Sequence, residues 1–201
     1  MTRLAAAAVA FLTLFAANAA AQRLTGPKPA AVVPAPVALD TTGMFLAKFA
    51  RVGDDVFIGG QPTERALREL QAQGVTTVVN LRTPEEMTRN VSFDEAALVR
   101  SLGMTYVYIP MRGNAEYPYS PVAVTKFAEA MRSTNGKLFL HCTVAWRASH
   151  LWGAYLIKER GIPIDSALAN ARAINLSDER PPIEQLLDQS LPTFGRPPRS
   201  P

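Results

Sequence analysis

With 201 residues, one cysteine and a formal net charge of +4, the chain has enough length for a single core and no second thiol for an internal disulfide. Its positive charge is spread thinly, and no basic stripe with interleaved aromatics occurs, which excludes a nucleic-acid-binding footprint. No internal repeats are present.

The first residues read as an export signal. Thr2-Arg3 gives a positive start, Leu4 to Ala17 is an uninterrupted apolar run, and Ala19-Ala20-Ala21 offers an A-x-A cleavage site before Gln22. A run of roughly 14 residues is short for a bilayer span. Residues 1–21 are therefore expected to be removed, leaving no stable membrane anchor and a periplasmic or secreted protein. Residues 22–42, with Pro27, Pro29, Pro34 and Pro36 among alanines and valines, read as an extended linker. Residues 191–201 read as a disordered tail, and residues 43–190 as the folded domain.

Within that domain a strand at residues 56–58 leads into Gly59-Gly60-Gln61-Pro62. A helix over 63–73 keeps Ala66, Leu67 and Leu70 on one side. Strands follow at 75–81, 104–110 and 138–141, each short, rich in β-branched or aromatic residues and bounded by breakers. Gly74, Gly103 and Gly136 precede them, where a helix C-terminus calls for a left-handed residue. Helical spacing recurs in Val124, Phe127, Ala128 and Met131, in Ala148, Leu151, Trp152 and Tyr155, and in Ile164, Ala167, Leu168 and Ala171. This alternation predicts an α/β fold with a central, mostly parallel, four- to five-stranded sheet flanked by helices. Ligands of such sheets collect beyond the carboxyl ends of the strands, where Asn80-Leu81-Arg82, residues 110–114 and His141-Cys142 should converge.

Cys142 sits where the last strand hands over to a helix, and Arg147 follows after four residues. Amides of such a turn and a helix N-terminus attract negative charge and favour a thiolate, while a guanidinium holds two oxyanion oxygens. A lone cysteine is otherwise a small core residue. The flanking His141 and Arg147 argue instead for a used thiol.

His141-Cys142, a short loop, Arg147 and then Ala148-Ser149 at a helix start resemble the cysteine-dependent protein tyrosine and dual-specificity phosphatase superfamily. Phe57-Ile-Gly-Gly-Gln61-Pro62, Val78-Val79-Asn80-Leu81-Arg82 and Pro84-Glu85-Glu86 narrow the resemblance to the bacterial phosphatase-like domain also found fused ahead of a β-lactamase-fold hydrolase. The resemblance implies that Cys142 attacks phosphorus to give a cysteinyl-phosphate. Arg147 and the amides of Thr143, Val144, Ala145, Trp146 and Arg147 would bind the phosphoryl oxygens. His141 would orient the loop, and Ser149 would ease thiolate release although it stands one residue beyond the usual position. The substrate would be a phosphorylated small molecule or a phosphoprotein, and no metal or cofactor is called for.

Two departures stand out. Phosphatases of this superfamily normally have five residues between Cys and Arg, and this loop has four and no glycine. The loop of residues 111–119 lacks the usual general-acid Asp, leaving Glu116 as its only carboxylate, with Asp178 or Glu179 as outside substitutes. Arg82 and Arg112 either widen a cationic pocket or tie loops to Glu85, Glu86 or Asp94. Trp146 either covers the pocket mouth or packs on the sheet. Beside a phosphatase, the alternatives are a rhodanese-like sulfurtransferase using a Cys142 persulfide, and an anion-binding or interaction domain with weakened catalysis.

Overall fold

The computed structural model describes residues 32–177 and 181–191. The expected export signal, residues 22–31 of the expected linker, the tail from residue 192, and Asp178 and Glu179 lie outside the described residues. Six strands form one sheet: β1 (Pro36–Ala38), β2 (Phe49–Val52), β3 (Val56–Gly59), β4 (Val75–Asn80), β5 (Thr105–Tyr108) and β6 (Lys137–His141). Their order is β1-β2-β3-β6-β4-β5. Strands β3, β6, β4 and β5 run parallel, β2 pairs antiparallel with β3, and β1 pairs antiparallel with β2. Seven helices lie among the described residues: α1 (Glu64–Ala72), α2 (Pro84–Asn90), α3 (Glu95–Ser101), α4 (Pro121–Ser133), α5 (Trp146–Lys158), α6 (Ile164–Arg172) and α7 (Pro181–Leu187). None is long and apolar enough to cross a membrane.

The fold is α/β as expected, with six strands in place of the four to five that the sequence suggested. Strand β2 returns into β3 through a turn at Gly53, whose φ is +59. Pro36–Ala38 falls in the stretch read as linker; its backbone is extended, but it is docked on Ala50–Val52 as an edge strand. Proline is tolerated there because an edge needs donors on one side only. Gly74 and Gly103 have the left-handed angles expected of them, and Gly136 does not. At Gly136 a Cβ would stand 2.6 Å from the Thr76 methyl, so close packing selects the glycine.

The core has two layers. One packs α4, α5, α6 and α7 on one face of the sheet around Ile58, Leu140, Phe127 and Leu151. The other packs α1 and α3 on the opposite face around Phe57, Phe139, Leu67 and Val99. Strand β6 is buried on both sides, which explains why Leu138-Phe139-Leu140 shows no alternation.

Register then places the site. Gly59 pairs with His141, His141 with Asn80, and Asn80 with Tyr108, so the strand ends form one row across the sheet. Gly60-Gln61, Cys142 and Leu81-Arg82 follow immediately beyond that row. Gly60 is fixed by close approach: an added Cβ would lie 1.7 Å from the Leu46 carbonyl oxygen and 2.8 Å from that of Thr143. Gly60→Ala is therefore expected to destabilise the domain by about 3 kcal/mol, at the upper end for overpacking, because both obstacles are backbone. Urea denaturation measures it.

Candidate active site

Cys142 follows β6 and is 1 % exposed, on the floor of the site and in contact with the larger core layer. The residues after it turn their carbonyls into the protein. Thr143 O accepts from the Gln61 amide at 2.9 Å, and Val144 O from Asn175 Nδ2 at 2.7 Å. Among the described residues, the backbone amides of Thr143, Val144, Trp146 and Arg147 donate to no protein acceptor. These N–H groups surround the start of α5, where helix and loop together favour an anion.

Ala145 makes the tight turn. It has φ 67 and ψ −3, the left-handed conformation that glycine usually supplies, and is fully buried. Such a conformation costs about 1 kcal/mol for alanine. Its carbonyl accepts from the Ser149 amide at 2.9 Å and from the Ser149 hydroxyl at 2.8 Å. Ser149 thus braces the strained residue; its proton is directed to Ala145, not to the thiol.

Arg147 is held by four partners. Its Nη1 donates to Met111 O at 2.7 Å and Leu81 O at 3.2 Å, and Nη2 donates to Thr143 Oγ1 at 3.1 Å. Both terminal nitrogens also meet the Glu86 carboxylate at 2.8 Å, an end-on fork. None of these bonds uses Nε, so the Nε edge is the one left for an incoming oxyanion.

Glu86 belongs to α2, where it closes a capping box with Thr83. Arg112 Nη1 stands 3.3 Å from its Oε1. Burial alone would raise this carboxyl. Hydrogen bonds from Arg147 and Thr83, with the charges of Arg147 and Arg112, outweigh it and hold the group at about 2. Glu86 is therefore ionised at neutral pH and has no proton to give. Its stabilising effect is complete above the unfolded value of 4.5 and is lost as pH falls toward about 2. Wild-type stability should decline across that window by a component that Glu86→Gln lacks, as read by urea denaturation at each pH. At pH 7 Glu86→Gln is expected to cost about 2 kcal/mol, below the ~3–5 kcal/mol of a fully buried pair because Glu86 stays partly exposed.

Beneath the loop lies a buried polar network. Glu95 Oε1 accepts from His141 Nε2 and from Asn80 Nδ2, both at 3.0 Å, and Oε2 accepts from Gln61 Nε2 at 2.6 Å. Gln61 Oε1 accepts in turn from Arg82 Nη1 at 2.5 Å, and Asn80 Oδ1 from the Arg82 amide at 2.8 Å. The Tyr106 hydroxyl joins Asn80 Nδ2 at 2.8 Å. Burial opposes the Glu95 charge, but the charge and hydrogen bond of His141, with those of Gln61 and Tyr106, keep its carboxyl below the usual value. His141 also stacks on Phe139 at 5.1 Å. Gln61 and Asn80 are the polar residues of the Gly-Gln-Pro and Asn-Leu-Arg motifs, and both serve to place Glu95 under His141.

The other candidates fall as follows. Arg112 is exposed and pairs with Glu86, the structural one of its two readings. Arg82 is buried and reaches Gln61 and the Glu86 carbonyl. Glu116 is exposed and interacts with Tyr117, whose proton it helps to retain. Trp146 packs, with Nε1 donating to Ser177 at 2.8 Å and its ring 4.1 Å from that of His150. In the sequence Glu86 stands out as part of the Pro84-Glu85-Glu86 motif and as one of three partners for an arginine, and Glu95 not at all. No group of three or more potential metal ligands occurs among the described residues.

Residues 47–185 match the family described as DSP-PTPase phosphatase fused to NAD+ kinase. No curated protein matches the chain. Among solved structures, a DUF442 protein of Shewanella putrefaciens CN-32, provisionally classed as a phosphatase, is 26 % identical, with a TM-score of 0.55 over 72 % of this chain and 90 % of that one. PTPMT1 in complex with PI(5)P is 17 % identical, with a TM-score of 0.60 over 70 % and 92 %. A cysteine-to-serine form of TpbA from P. aeruginosa in complex with phosphotyrosine is 15 % identical, with a TM-score of 0.53 over 82 % and 90 %. At those two identities the likeness is one of fold.

Proposed function

The chain belongs to the family of DSP-PTPase phosphatases fused to NAD+ kinase, and on that premise we propose that it is an exported cysteine-dependent phosphatase acting on phosphomonoesters. The Cys142 sulfur attacks phosphorus, the P–O bond to the alcohol breaks, and water then hydrolyses the cysteinyl-phosphate to release phosphate and the thiolate. The observation that carries this reading is the set of loop amides without a protein acceptor, gathered around Cys142 and beside the free Nε edge of Arg147. They supply the charge stabilisation that phosphoryl transfer needs. The ligands held by the neighbouring folds, PI(5)P and phosphotyrosine, are of the same chemical kind.

The leaving group is constrained. Among the described residues, Glu86 is ionised and has no proton for the departing oxygen, and Glu116 is exposed beside Tyr117. Where no general acid acts, alkyl phosphates lose about 10²- to 10⁴-fold, while aryl phosphates leave unaided. The expected substrates are therefore aryl esters, phosphotyrosine included. Acid quenching during turnover of a labelled aryl phosphate should trap phosphate on Cys142. Thiocyanate formed from thiosulfate and cyanide, with no trapped phosphate, would select the sulfurtransferase.

One observation favours a non-catalytic anion-binding domain instead: Cys142 is only 1 % exposed. Vanadate raising the melting temperature without any phosphate release selects that reading. For the export signal, N-terminal sequencing of the protein from an expressing bacterium should begin near Gln22.

A further inference from the structure

Beside the catalytic loop lies a second concavity of about 860 Å³, walled by Met44, Leu46, Val91 and Phe93, with Thr143 at one edge and Arg82 beneath. Neither Cys142 nor Arg147 lines it. Arg82 is unusual for a buried cation. It is 1 % exposed, yet among the described residues it has no carboxylate within ion-pair distance. Its Nη1 donates to the neutral Gln61 side chain and its Nη2 to the Glu86 main-chain carbonyl. Its Nε is buried with no partner. Guanidinium groups are seldom buried without a counter-ion, because an unpaired buried charge forgoes its solvation by water. At the rim, Glu64 and Arg65 carry opposite charges and Arg65 is tied to Glu69 at 2.9 Å, so the cavity's remaining cation is Arg82, which Glu86 and Glu95 oppose only from beyond ion-pair distance.

We propose that this cavity is a second anion subsite, which takes an acidic group carried by the substrate on an apolar or aromatic spacer. The phosphoryl group occupies the Cys142 loop, the spacer passes Thr143 and lies against Met44, Leu46 and Phe93, and the acidic group supplies the counter-charge to Arg82. A charged oxygen competes well against the two neutral oxygens that now hold the guanidinium. The inference rests on the phosphatase reading for the first anion and on the Arg82 cavity for the second.

Calorimetry with the Cys142→Ser protein tests the two separately. Phenylphosphonate reports the phosphoryl subsite alone, and 4-phosphonobenzoate differs from it only by a carboxylate at the far end of the ring. The expected result is about 10-fold tighter binding of 4-phosphonobenzoate, as for one hydrogen bond between charged groups. Leu46→Glu places a negative charge in the wall, at a position 52 % exposed and so tolerant of it, and should bring the ratio to one. Equal affinities in the parent protein, or a preference that survives Leu46→Glu, overturn the subsite while leaving the phosphatase reading intact. Should neither phosphonate bind, the phosphatase reading fails and terephthalate is scored in their place. Its binding, lost in Leu46→Glu, then supports the subsite, and its failure to bind overturns it.

Discussion

Cys142→Ser is expected to lower kcat on p-nitrophenyl phosphate by at least about 10⁴-fold, the scale on which removal of a covalent nucleophile acts. A serine hydroxyl in the same place stays protonated near neutral pH and offers no anion to attack phosphorus. The loop amides and the Nε edge of Arg147 persist, so vanadate or phosphate should still bind and raise the melting temperature. Stability should change little, because Ser is close to Cys in volume and Arg147 keeps its bonds to Met111, Leu81 and Glu86. Release of p-nitrophenol, with a melting curve on the same sample, measures both. Residual turnover within 10-fold of the parent protein would place the chemistry on another residue.

The contrast between that local prediction and the rest of the site shows what a sequence displays. Cys142 and Arg147 were legible because strand, loop and helix carry them within a few residues. The row of strand ends was legible from the alternation of elements. Glu95 and the pairing of Glu86 with Arg147 were not, since the partners His141 and Arg147 stand 46 and 61 residues away. Short helices conceal them further: α2 and α3 have seven residues each, too few for a periodic apolar face. Strand β2 escaped notice because its four residues include Arg51, whose side chain reaches Asp54.

The glycine-free loop taught a subtler lesson. Lack of glycine argued against amides wrapping an anion, yet Ala145 takes the left-handed angle itself. Its carbonyl is doubly bonded by Ser149, a residue the sequence had assigned to the thiol. With four residues in place of five, one left-handed position and one serine brace suffice to turn the chain into α5.

Glu95→Ala is expected to destabilise the domain by about 3–5 kcal/mol, the cost of removing a buried carboxylate from the hydrogen-bonded partners around it. Glu95 and His141 side chains are fully buried, so no solvent replaces the lost carboxylate. Three donors each lose an acceptor together: His141 Nε2, Asn80 Nδ2 and Gln61 Nε2. For a domain of this size that corresponds to a fall of roughly 10 °C or more in melting temperature. Because Gln61 also holds Arg82, and its amide holds the Thr143 carbonyl, the damage should extend to the loop. Vanadate affinity measured well below the melting point should fall too, although Glu95 is one layer removed from the anion. Glu95→Gln keeps the volume and one acceptor, and should retain part of both properties. His141→Phe preserves the stacking on Phe139, and in the Glu95→Ala background it should cost little more, since the pair is already broken. Full additivity of those two substitutions would mean that the carboxylate and the imidazole act separately, and the network would then not be what positions the loop.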